Sequence, residues 1–220
     1  MTLFFKMNLP WRALEFFEDP KKGYELPFLQ SFKLVAQQFV SNNFKVVVNA
    51  GAFNPKQLAI EVQKVLDETP SGGKTKVIAW LEGDNVHLPC ERAPDQVIHL
   101  HDGTTLKEWG KELLTANAYI GAWGIVKALQ EGADIVITGR VTDASPVMAL
   151  AAWWHNWQQG DFDKLAHALA AGHLVECGPY VASGISHPYT TVPKFPTDRR
   201  KLPRFQTLGA TLFRLIPSHR

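Results

Sequence analysis

The stretch Gly132-Ala-Asp-Ile-Val-Ile-Thr-Gly-Arg-Val-Thr-Asp-Ala-Ser145 decides how the rest of the chain is read. Its first half, Ala133–Thr138, is a short apolar run set between Gly132 and Gly139, the pattern of a strand buried on both faces. Gly139 lets the backbone turn sharply, and Thr142, Asp143 or Ser145 can then cap a helix beginning at Ala144. The segment reads as strand, tight turn, helix.

Working outward, two more strands of the same kind appear at Phe44–Asn49 and Lys76–Leu81. Helices are expected between them. In Pro27–Ser41, Phe28, Phe32, Val35 and Phe39 fall on one stripe. Asn54 as N-cap and Pro55 in the first turn announce the next helix, with Leu58, Val62, Val65 and Leu66 sharing a face. The spacing predicts a helix through Trp109–Gln130, broken near Gly121, with Ile125, Ala128 and Leu129 turned inward. Two more are predicted at Ala144–Trp157 and Phe162–Ala171, the second ended by Gly172 as a C′ residue. Between Glu82 and Thr105 runs a long connection, in which Gln96–Leu100 reads as a short strand. Apolar strands alternating with helices predict an α/β fold: a partial parallel sheet with helices on both faces.

Composition sets the boundaries of this reading. The 220 residues are 45% hydrophobic and 20% charged, as in a folded globular chain and unlike a disordered one. The longest apolar runs, such as Val147–Trp154, fall far short of the ~18 residues a membrane helix needs. Two cysteines, Cys90 and Cys177, are too few for a disulfide framework, and the N-terminus lacks a signal-peptide core, so a cytoplasmic location is expected. The net charge of +2 conceals a split: residues 1–184 sum to −4 and residues 185–220 to +6. Those last residues also hold five of the 14 prolines, so 185–220 is expected to be a basic, Pro-rich, loosely ordered tail. Its basic residues are dispersed except at Arg199–Lys201, so nucleic-acid binding ranks last among the functions considered.

In an open parallel sheet, ligands bind beyond the carboxyl ends of the strands. Three polar clusters fall there: Asn49–Pro55, Glu82–Asn85 and Thr138–Ser145. Arg140, beside free amides at a helix start, would make an anion site for phosphate or carboxylate, with Thr142 and Asp143 adjoining. The structural alternative is that Asp143 only caps the helix and pairs with Arg140. Asn49 ends a strand, and Asn54 reads as a cap first. Glu82, Asp84 and Asp143 are carboxylates at adjacent strand ends, suited to general acid–base work or to a hard cation, with solvated loop carboxylates as the plainer reading. If Leu174–Cys177 is a strand, His173 heads it and Cys177 ends it, which leaves His173 as a third proton-handling candidate.

Two weaker signals are set aside. Gly72–Thr75 echoes a phosphate loop, but Glu68 stands where its first glycine belongs and the segment precedes a strand. His99 and His101 share a strand face without a third ligand, so no metal site is assigned, and no cofactor is specified.

With these clusters read, the sequence resembles the N-terminal domain of the acyclic terpene utilisation family. The resemblance rests on Asn49-Ala-Gly-Ala-Phe-Asn-Pro55, Trp80-Leu-Glu-Gly-Asp84, Ala116-Asn-Ala-Tyr-Ile-Gly-Ala122, Gly132–Ser145 and Gly172-His-Leu-Val-Glu-Cys-Gly178. It covers roughly Trp11 to Gly184, giving a domain over 1–184 followed by the tail. It implies a role in catabolism of branched acyl or terpenoid compounds, with an acyl or acyl-CoA ligand and no assigned reaction. Members usually have an extra strand before the region matching Trp11-Arg-Ala-Leu14 and continue their own pattern past Gly184. A second expectation is therefore a truncated, catalytically silent relative, acting as a partner subunit or forming a homo-oligomer across open sheet edges.

Overall fold

The computed structural model describes residues 5–70 and 75–175. The central element is β3 (Ile135–Thr138), with every residue buried. β1 (Val46–Val48) and β2 (Ile78–Leu81) flank it, both parallel, in the order β1-β3-β2. Val46 and Val48 pair with Ile135 and Ile137, while Ile78 and Leu81 pair with Ile135 and Thr138. All three expected strands form, each shorter than its apolar run.

Because side chains alternate across a strand, this register divides the apolar residues between two cores. Val48, Ile135 and Ile137 face α2 (Leu26–Ser41) and α3 (Pro55–Asp67), where Phe32, Phe39, Leu58 and Val62 are buried. Val136 faces α6 (Trp123–Gln130) and α7 (Ser145–Trp154), packing among Ile125, Leu129, Val141 and Ala149. α8 (Phe162–Val175) lies against α7. This is the expected α/β arrangement, with helices on both faces of a parallel sheet.

Several local readings need correction. Val35 is exposed, and α2 buries Leu29, Ala36 and Val40 beside its phenylalanines. α1 (Phe5–Glu18) forms ahead of it with Pro10 inside, although no helix is predicted there. Short α4 (His87–Arg92) occupies the long connection, where Ile98 makes a single antiparallel bridge to Thr105. Trp109–Gln130 is not one helix. α5 (Leu106–Trp109) stops at Gly110, whose φ of 64° lies in the left-handed region, and the chain stays non-helical until α6.

Gly172 does not end α8, which continues to Val175. A Cβ there would lie 2.6 Å from that of Ala144, so its lack of a side chain lets α8 approach the start of α7. Leu174 and Val175 are accordingly helical rather than the start of a strand. Cys177, the Gly72–Lys74 segment and the 185–220 tail lie outside the described residues.

Candidate functional site

β1 leads into α3 on one face of the sheet, and its neighbour β3 leads into α7 on the other. Adjacent parallel strands whose chains leave to opposite faces open a crevice at their carboxyl ends. Asn49 follows β1 there and is only 3% exposed. The loop is pinned to β3 where the Gly51 amide donates to the Thr138 carbonyl at 3.1 Å. Asn54 is fully committed to structure. Its Oδ1 accepts from the Gln57 amide, and its Nδ2 donates to the Pro20 and Lys22 carbonyls at 2.9 and 2.8 Å. It is the cap its sequence position predicts, and it braces the α1–α2 linker.

The second and third clusters meet at Asp84, which is 4% exposed. One carboxylate oxygen accepts from the Arg140 amide at 2.7 Å and from the Asn117 carboxamide at 3.0 Å. A Cβ on Gly139 would lie 2.6 Å from that carboxylate, so the glycine admits it. Asp84 thus holds the turn after β3 in place. Glu82 is exposed, and its carboxylate accepts from the Trp80 indole at 3.2 Å.

Arg140 is 6% exposed and pairs with Asp143, while its guanidinium sits 4.3 Å over the Tyr119 ring. That pairing supports the structural reading of Arg140 and Asp143, but not the cap. The cap position of α7 is Ala144, without a side-chain hydrogen bond. The Thr142 and Ser145 hydroxyls bond each other instead, and the Ser145 amide donates to the Thr142 carbonyl. With Pro146 following, the start of α7 offers fewer open amides than its sequence suggests.

The 116–122 segment closes the site and is the part that spacing misassigns to a helix. Its carbonyl and amide groups bond Val86, Asp84, Arg140 and Thr142, and it carries both Asn117 and Tyr119. Its motif likeness was legible; its partners were not. His173 stays apart from this arrangement, exposed on α8 with Nδ1 at 3.0 Å from the Leu169 carbonyl of its own helix.

Buried polar atoms without partners concentrate here. Arg12 Nε, Glu25 Oε1, Asn117 Oδ1 and Arg140 Nε have no hydrogen bond among the described residues. Arg12 and Glu25 face each other at 3.6 Å, an ion pair too long for a hydrogen bond, above the β1 end where the Glu25 amide donates to the Ala50 carbonyl. Such groups carry a desolvation cost of about 1–3 kcal/mol unless a ligand or water meets them. Beside them, at the β2 edge, a cleft of about 500 Å³ is lined by Trp80, Leu81, Glu82, Ile120, Gly121 and Trp123. A second, of about 540 Å³, runs along α6 toward Trp157 and away from the strand ends.

Glu82, Asp84 and Asp143 point to separate partners, and among the described residues no group of three or more His, Cys, Asp or Glu side chains is placed to hold a metal ion. His99 pairs with Asp102 at 2.8 Å, both exposed. Among the described residues no helix is long and apolar enough to cross a membrane.

Comparison with known proteins shows the family. The family model described as acyclic terpene utilisation family protein AtuA matches residues 4–203, reaching past Gly184 into the basic, proline-rich segment. No curated protein matches, and no solved structure matches.

Proposed function

Given that the chain belongs to the acyclic terpene utilisation family, we propose that it binds a branched acyl or terpenoid compound, free or as its coenzyme A thioester, for intracellular catabolism or modification. The observation that carries this is Arg140: a buried guanidinium at the strand-end crevice whose Nε, like the nearby Asn117 Oδ1, has no hydrogen bond among the described residues. A carboxylate or phosphate would take the place of Asp143 on Arg140, an exchange of one charge-assisted pair for another. A ligand hydroxyl or protonated oxygen would donate to Asn117, and the Asn49 carboxamide would meet the ligand from the β1 side. Thr142 lies at the exposed rim.

Of the carboxylates, Glu82 is the acid–base group in this reading, because it is exposed on the cleft and free to exchange protons. Asp84 is a positioning residue: it fixes the Gly139–Arg140 turn and orients Asn117. His173 has no part in it.

Calorimetry with coenzyme A and short branched acyl-CoAs tests the proposal. Binding should be measurable, and Arg140→Ala should weaken it at least about tenfold, the loss expected for a charged hydrogen bond. Absence of heat with every ligand, from folded protein, would remove the proposal. Equal affinity in Arg140→Ala would remove the anion site.

A further inference from the structure

The cleft at the β2 edge is built differently from the crevice beside it. Trp80 and Trp123 supply aromatic wall, with Leu81 and Ile120 as aliphatic surface. Its volume of about 500 Å³ lies within the ~300–1,000 Å³ range of small-molecule sites. Two glycines shape it for different reasons. A Cβ on Gly124 would fall 2.7 Å from a Leu81 methyl, so that glycine serves packing. A Cβ on Gly121 would meet nothing within 4 Å, and its backbone is not in the left-handed region, so neither packing nor conformation accounts for it. It keeps open space open.

One residue links the wall of the cleft to the polar crevice. Ile120 lines the cleft, and its backbone bonds the Arg140 carbonyl at 3.3 Å and the Thr142 amide at 3.0 Å. Tyr119, its neighbour, lies under the Arg140 guanidinium. Glu82 on the cleft rim repels an anion, so a ligand spanning both places would put its charge toward Arg140 and its carbon chain between the tryptophans.

We infer that the Trp80–Trp123 cleft is the chain-binding subsite for an elongated amphiphile, an apolar chain carrying an anionic head, with Gly121 setting the chain length admitted. The inference rests on the reading of Arg140 as head-group site but is tested apart from it. Straight-chain alcohols from butanol to octanol carry no charge, so their binding reports the cleft alone. Calorimetry should show affinity rising about fourfold per methylene buried. Gly121→Leu, which fills the space, should flatten that dependence and cut octanol affinity at least about tenfold, with the circular dichroism unchanged. Octanol binding no tighter than butanol overturns the inference, as does a chain-length dependence that survives in folded Gly121→Leu. Should that variant not fold, half-exposed Trp80→Ala replaces it: octanol affinity must fall severalfold, and an unchanged value overturns the inference. Octanoate reads the head group. Octanoate and octanol binding equally would defeat the Arg140 reading and leave the cleft standing. Tighter octanoate binding that depends on Arg140 but not on chain length would do the reverse.

Discussion

The most constrained contact in the molecule is the approach of the Asp84 carboxylate to Gly139. Two donors, the Arg140 amide and the Asn117 carboxamide, hold one oxygen of that carboxylate, so moving it away from an added side chain would break both bonds. Gly139→Ala would put a Cβ 2.6 Å from both carboxylate oxygens. We expect it to destabilise the fold by about 1–3 kcal/mol, the cost of overpacking, read as a lower urea midpoint with unchanged m-value. A wild-type midpoint would mean the turn relaxes freely and Asp84 does not position it. The sequence made these residues visible as chemistry-bearing groups at strand ends. Asp84 reads there as a proton-handling or solvated carboxylate because the partner that buries it, Asn117, stands 33 positions away. Nothing local announces that pairing. Arg140 and Asp143 were legible as a pair because they stand three residues apart on one turn.

Among the elements, those with strong local rules were readable and those set by tertiary pairing were not. Asn54-Pro55 marked the start of α3 because a cap and an N-terminal proline satisfy or remove the same orphan amides. α5 had an equally local signal that the apolar spacing overrode: Thr105 and Glu108 form a reciprocal capping box. The non-helical run after Gly110 had none, since it is held by bridges from Asn117 to Asn85 and from Ile120 to Val141. The turn before α5 allows a test by pH. The Thr104 amide, its hydroxyl and then His99 hold the Asp102 carboxyl down to about 2, from an ordinary 3.8. A carboxyl depressed by folding contributes stability above its unfolded value, and that contribution is lost as pH falls toward the folded one. The Thr104 amide resonance should therefore titrate with a midpoint near 2; a midpoint near 4 would show that the turn does not hold the carboxylate.

At the scale of the whole molecule, one three-stranded sheet serves two cores, so neither face can be lost alone. Ile137→Ala on the α2–α3 side and Leu129→Ala on the α6–α7 side should each cost about 2–5 kcal/mol. Each should move one transition, coincident by far-ultraviolet dichroism and tryptophan fluorescence. Separate transitions would show that the two cores fold independently. The sheet's type was legible, because strands covered on both faces must be apolar throughout. Its strand order was not, because hydropathy carries no record of neighbours. That order has a consequence for the growing chain on the ribosome. β1 and β2 are synthesised first, yet among the described residues they do not pair with each other, and each is bonded to β3. Until Thr138 has emerged, these two apolar strands wait for the β3 that joins them. At a synthesis rate of about 5–20 residues per second, that interval lasts seconds, long enough for a chaperone to matter.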